Sequence, residues 1–296
     1  MRIVNPIPEE DLSGFIRILD EGFIFGKNHS MSLSHRFKDV YNNRKNLFAL
    51  RSGNQIVSCA ATRYRTLIWK DHTYKLAMIG GVYTDPAHRN LGYASALIQY
   101  IKSIFTENRT DASILWTTTP SFYKKLGWNS FDIGLIASIK QHVLLESDIA
   151  AVKFERLSAK EINQFERLRK KYLPYRLIRN PIDYETIPIP ATKLEFFAVI
   201  DEELKAFAAT GRNGRSVYAY EVIGDPDYFG VLFSTFTKNC NFLFLNDYSN
   251  SASANWLERM RLVNWESKNL AMWQVHSSKL LDIEIKDIYI PLIDRI

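Results

Sequence analysis

What the chain lacks narrows the field first. Its 296 residues include only two cysteines, Cys59 and Cys240, each in an apolar strand-like run and far from the other. Both read as buried free thiols, and neither a disulfide framework nor a metal site is expected. No stretch approaches the roughly 18 uncharged apolar residues that a spanning helix needs. The opening MRIVNPIPEEDL is acidic and broken by proline where a secretory signal would be apolar, so a cytoplasmic protein without a membrane partner is expected. There is no long basic run and no RNA-binding aromatic signature. The net charge of +6, from 38 basic and 32 acidic residues, suits attraction of a phosphorylated small molecule and gives no reason to expect a nucleic-acid partner. GxGxxG and GK[ST] do not occur, which removes the Rossmann and P-loop NTPase readings.

What is present is a globular composition, 46% hydrophobic and 24% charged, on a chain long enough for two domains. Leu12, Phe15, Ile16 and Leu19 recur at helical spacing behind the acidic PEED. Strand-like runs at 46–51, 55–69 and 73–84 follow. Ser52-Gly53-Asn54 and Lys70-Asp71-His72 separate them, lengths that suit hairpins in an antiparallel meander. Ala94, Leu97, Ile98, Ile101, Ile104 and Phe105 mark an amphipathic helix over 92–106. After a strand at 113–117, Thr119-Pro120 offers a helix start and Gly127 a left-handed stop. The run 131–139 closes the half as a strand.

Around residue 150 the order begins again. A helix at 157–173 and a proline-punctuated linker at 175–193 lead to a second meander at 195–200, 204–210 and 216–224. A helix at 225–238, a strand at 241–246, a helix at 255–263 and a strand at 270–276 complete it. Two domains, 1–150 and 151–296, with the same order of elements are therefore expected.

The stretch VYTDPAHRNLGYAS, Val82 to Ser95, joins the last meander strand to the long helix. A helix start leaves backbone N–H groups without partners at the positive end of the macrodipole. Gly92 lets a ligand approach the main chain, and Ala94 and Ser95 keep the first turn open. A pyrophosphate fits such a loop.

With SFYKKLGW behind it, this stretch resembles the GNAT family of acyl-CoA-dependent N-acetyltransferases. Val82, Thr84, Pro86, Arg89, Gly92 and Ala94 match the family's loop signature, and Phe122, Tyr123, Gly127 and Trp128 match its later motif. The implied fold is α/β (α+β), two GNAT-like domains with mixed, mostly antiparallel sheets flanked by helices. The implied co-substrate is acetyl-CoA. Val82, Tyr83 and Thr84 would pair with its pantetheine arm, and amides of Arg89, Asn90, Leu91, Gly92, Tyr93, Ala94 and Ser95 would hold the pyrophosphate. Thr118 and Thr119 would lie near the thioester, and Tyr123 would act as general acid. The tandem arrangement is distantly similar to aminoglycoside acetyltransferases of the enhanced-intracellular-survival type.

The general base is not fixed by the motif, because the strand KLAMIGGVY carries no carboxylate. Glu21, Asp20, Asp85 and the Ile296 carboxylate are the candidates, with water as a further carrier of the proton, while His72 and His88 read as solvated turn residues. In the second half the corresponding junction is VIGDPDYFGVL, where Asp225 and Asp227 would repel a phosphate. That half is expected to bind no cofactor and to shape the acceptor pocket, with Arg176, Arg179, Tyr184, Trp273 and His276 as lining residues. The function implied is direct acetyl transfer to a primary amine on a small molecule or peptide. A non-catalytic acyl-CoA sensor or scaffold, and an aminoacyl or long-chain acyl transferase, are the alternatives.

Overall fold

The computed structural model describes residues 2–23, 43–131, 134–139, 149–188, 190–267, 271–280, 285 and 288–296. Its first half follows the expected order. Strand β1 (Arg2–Val4), helix α1 (Leu12–Phe23) and strands β2 (Leu47–Ser52), β3 (Gln55–Trp69) and β4 (His72–Thr84) precede helix α2 (Tyr93–Glu107). Strand β5 (Ala112–Trp116), helix α3 (Pro120–Lys124) and strands β6 (Asn129–Ser130) and β7 (Gly134–Ile139) follow. The β3–β4 hairpin closes on Lys70 and Asp71, with φ of +46° and +62°, the left-handed pair that a two-residue turn requires. Gly127, at φ +100°, stops the α3 turn as its position implied.

The second half runs through β8 (Val152–Phe154), α4 (Ala159–Tyr172), β9 (Tyr175–Leu177), β10 (Lys193–Asp201), β11 (Glu203–Asn213) and β12 (Ser216–Gly224). It continues with α5 (Phe229–Phe236), β13 (Phe242–Tyr248), α6 (Ala252–Arg259), β14 (Glu266–Ser267) and β15 (Ala271–Val275). Helix α4 carries a capping box between Ser158 and Glu161, which satisfies two otherwise unpaired N–H groups. Strands β1, β8 and β9 are three residues each, too short for a periodic signal.

The strands form two mixed, mostly antiparallel sheets, ordered β1-β2-β3-β4-β5-β15-β6, with β9 also on β3, and β14-β7-β13-β12-β11-β10-β8. The run 131–139 does not close its own half's sheet. Its strand β7 pairs with β13, Leu243 opposite Ile139, while β15 from the second half pairs with β5, Trp273 opposite Ile114. The halves exchange their last strands and β9 joins β3, Ile68 opposite Arg176, so three strands cross the division expected at residue 150. Alternation along β4 explains how this sheet is covered. Ala77 and Ile79 face Leu97, Ile98, Ile101 and Phe105 of α2, and Leu76 and Met78 face Tyr175, Trp273 and Ile290 of the second half. Full burial of each such aliphatic side chain contributes about 1.5–3 kcal/mol.

A buried ionic cluster also joins the halves. Asp294 is held by Arg179 at 2.7 Å, with Arg169 at 3.6 Å and Arg65 at 3.7 Å. Arg179 also grips Glu221 through two bonds of 2.7 and 3.0 Å, and Arg65 and Arg63 both bind Asp183. Burial alone would raise the Asp294 pKa, but Arg179, then Arg169 and Arg65, hold it well below the usual carboxylate range. An ionised group with a depressed folded pKa stabilises above its unfolded value near 4, and that contribution is lost as pH falls through the folded value. Asp294→Asn should cost about 3–5 kcal/mol at neutral pH. It should also flatten the decline in urea midpoint between about pH 5 and 3, which chemical denaturation across that range would measure.

Candidate functional site

The site grows from a parting of two parallel strands. β4 and β5 pair from Leu76↔Ala112 to Ile79↔Leu115, and there the pairing stops although β4 runs on to Thr84. On its other edge β4 keeps β3, through Cys59↔Tyr83 and Ser58↔Thr84. A bulge at this point sets Gly81, φ +61°, and Val82 against Ala60 and re-aims the end of the strand. The Ser58 hydroxyl pins it, 3.0 Å from the Tyr83 carbonyl and 2.8 Å from the Thr84 hydroxyl. Val82, Tyr83 and Thr84 thus present an edge without a strand partner among the described residues, the template that an extended ligand arm can complete.

Beyond Thr84, Asp85 accepts from the Ala87 amide at 2.8 Å and caps a short turn, Pro86–His88. Arg89 Nε donates to the Thr84 carbonyl at 3.1 Å, and its guanidinium lies 5.5 Å over the Tyr83 ring. Arg89 therefore closes the loop as well as lending it charge. Asn90 and Gly92 are left-handed, φ +63° and +79°, which turns successive amides to one side in the manner of an anion-binding nest. The amides of Asn90, Leu91 and Gly92 bond to no described residue. Those of Tyr93, Ala94 and Ser95 open α2, where no side chain caps them. Space above Gly92 is open. These residues fit a pyrophosphate, and the edge before them fits the arm attached to it.

Tyr123, on α3, packs among Phe122 and Trp128 on the α2 face of the sheet. Burial pushes its pKa up to about 12, so the phenol stays protonated at neutral pH and is a weaker acid than a solvated tyrosine. Thr118 and Thr119 are exposed just past β5, with the Thr119 amide on the Thr117 hydroxyl at 2.9 Å. On the opposite face lies a residue that no motif located. A Cβ built on Gly80, one step past the last β4–β5 pair, would come within 2.8 Å of the Ile296 side chain and 3.4 Å of its backbone carbonyl carbon. Ile296 and Tyr83 both pack against the apolar cluster of α1, β2 and β3, and Arg295 stacks on Trp116 at 5.1 Å.

The other carboxylates stand apart from this point. Glu21 is exposed and tied to Arg17 at 2.5 Å. Asp85 is a half-buried cap whose pKa is lowered chiefly by the Ala87 amide. His88 lies 3.5 Å from Asp85 and stacks on Tyr93; it is half-buried rather than solvated.

Residues 4–131 match the family model for the acetyltransferase (GNAT) domain. They form a GNAT acetyltransferase domain. No curated protein matches the chain significantly. Among solved structures it is similar to a GCN5-related N-acetyltransferase from Anabaena variabilis ATCC 29413, at 14% identity and TM-score 0.71, over 93% of this chain and 73% of that one. It is also similar to Eis1 from Mycobacterium abscessus, at 9% identity and TM-score 0.62, over 93% and 74%. Saccharomyces cerevisiae N-myristoyltransferase with bound myristoyl-CoA matches at 10% identity and TM-score 0.62, over 92% and 77%. The tandem GNAT fold thus accounts for both sheets.

The second half copies the GNAT architecture but omits the loop. Asp225 accepts from the Asp227 amide just as Asp85 does from Ala87, so a capping aspartate is common to both. The difference is that α5 begins at Phe229, directly after the Pro226–Tyr228 turn, whereas Arg89, Asn90, Leu91 and Gly92 intervene in the GNAT domain. Missing amides, more than repulsion by the aspartates, distinguish the copies. Gly230 is buried within α5 and is no counterpart of Gly92.

The expected lining residues separate in the structure. Trp273 is buried in the first sheet, and His276 bonds Ser113 at 2.9 Å there, its pKa lowered to about 4 by burial and then by Lys102. Arg179 belongs to the Asp294 cluster, and Tyr184 donates to Glu166. Arg176 lines a cavity of the second half.

Among the described residues no cluster suited to a metal is present and no helix is long and apolar enough to cross a membrane. Gly92→Asp meets open space but must hold a left-handed φ of +79°, a local strain at an exposed loop that should leave the rest of the fold in place, while its carboxylate repels an anion at the amides. Calorimetry should show CoA affinity falling at least about tenfold, a loss of 1.4 kcal/mol.

Proposed function

We propose that the chain transfers an acetyl group from acetyl-CoA directly to a primary amine, with residues 1–150 holding the co-substrate and residues 151–296 shaping the acceptor side. The observation that carries this reading is the continuity of an open strand edge at Val82–Thr84 with unbonded amides at Asn90–Gly92. The fold and the domain are those of acyl-CoA-dependent acyltransferases, and the sulfur end of such a ligand would enter the gap between β4 and β5. Acetyl-CoA supplies the activated acyl group.

The chain's own groups do the rest. Main-chain pairing at Val82–Thr84 would orient the arm and cut the entropy of reaching a reactive geometry. As the amine nitrogen bonds to the carbonyl carbon and the carbon–sulfur bond breaks, Tyr123 would hand its proton to the departing sulfur. The amine must lose a proton on the other face. Glu21 and Asp85 are engaged in local contacts there, whereas Ile296 lies against Gly80 at the gap. In a chain that stops at Ile296, its free carboxylate would stand where that proton leaves. Arg295, stacked on Trp116, and Asp294, clamped by Arg179, would hold the residue in place.

Acetyl-CoA turnover over a panel of small-molecule and peptide amines, read as free thiol, tests the reading. At least one amine should raise thiol release, and Tyr123→Phe should lower kcat about 100-fold with CoA affinity retained. CoA binding without amine-dependent thiol release, and without an effect of Tyr123→Phe, would favour a non-catalytic acyl-CoA sensor. Adding two glycines after Ile296 should depress kcat and leave CoA binding unchanged.

A further inference from the structure

A cavity of about 60 Å³ opens where β12 and β13 part. The two strands pair in parallel from Ser216↔Phe242 to Ala219↔Leu245 and then diverge, as β4 and β5 do in the GNAT domain. By position it is the second half's counterpart of the cofactor gap, lined by different chemistry. Tyr172, Tyr175, Tyr220, Tyr248 and Tyr289 surround it, and Asp247 stands among them. The Asp247 carboxylate accepts from the Ser253 hydroxyl and from the Tyr248 amide, all neutral donors. No cationic side chain of the described residues pairs with it.

The neighbouring carboxylates are already matched. Glu221 and Asp294 are bound by Arg179 and Arg169, and Arg169 also holds Glu166 at 2.8 Å. Burial pushes the Asp247 pKa up to about 6 despite its hydroxyl donors, as expected for a carboxylate kept from water without a counter-ion. What Asp247 lacks among the described residues is a cationic partner.

We infer that this cavity binds an alkylammonium group, held by the Asp247 carboxylate and faced by the tyrosine rings. An ammonium donates up to three hydrogen bonds to a carboxylate and its partners, and aromatic faces attract it further. The space admits the ammonium and a few methylene groups. Arg176 also lines the cavity and has no ion-pair partner among the described residues, so an anionic ligand is the competing outcome. The site does not depend on the proposed acetyl transfer, because it lies in the half without the pyrophosphate loop.

Calorimetric titration of the full chain with butylamine, and with butanol and butyrate of matching length, tests it. Butylamine should bind, and butanol and butyrate should not do so measurably. Asp247→Asn should weaken butylamine at least tenfold, and Arg176→Ala should not weaken it. Gly92→Asp should lose CoA yet keep butylamine, so the failure of either reading is separable from the other. Butanol binding as well as butylamine, or butyrate binding in its place, overturns the inference. So does a folded Asp247→Asn protein that binds butylamine as tightly as the parent. If that variant does not fold, the comparison of butylamine with butanol and butyrate on the parent chain decides.

Discussion

A strand that outlasts its neighbour leaves half of its hydrogen-bonding edge to be satisfied by something else, and the end of β4 is such a strand. β5 follows it only to Ile79↔Leu115. From there to Thr84 the edge toward β5 is open among the described residues, and the loop beyond it ends in amides with no acceptor among them. Backbone groups in a folded core are almost always paired, so an edge and a nest left unpaired in sequence point outward, to a ligand with an extended arm and an anion. The surrounding details serve this opening. Ser58 pins its near edge, Arg89 closes its loop, and Ile296 lies against Gly80 where the edge begins.

The same opening occurs in the second sheet, where β12 outlasts its pairing with β13, but there the helix begins at once and no anion loop exists. The two openings are held in fixed relation because neither half is a closed unit. Each lends its last strand to the other's sheet, and the segment ending in Asp294, Arg295 and Ile296 is clamped between them by Arg65, Arg169 and Arg179. Such a clamp costs desolvation, and its use is positional: it sets Ile296 on Gly80 and Arg295 on Trp116.

Local features were legible in the sequence because local sequence causes them. Gly92 at a helix start, Gly127 at a left-handed stop, the hairpin at Lys70-Asp71 and the apolar stripe of α2 follow from backbone sterics and periodicity. The missing second loop was legible in part, since VIGDPDYFGVL moves from its aspartate-proline turn to apolar residues without an RNLG. Strand exchange was not, because residues 131–139 and 270–276 are both short apolar runs and pairing depends on the whole core. Trp273 and His276 were misplaced for that reason. The position of Ile296 depends on buried arginines drawn from three separate parts of the chain, and no spacing rule reports that.

The central claim is that one of two copies of the fold holds the co-substrate. Amide hydrogen exchange with and without CoA tests it most directly, since it reads every loop at once. The account predicts slowed exchange at residues 82–84 and 90–95 and none at 225–230. Protection at 225–230, or unchanged exchange at 90–95 under saturating CoA, would contradict it.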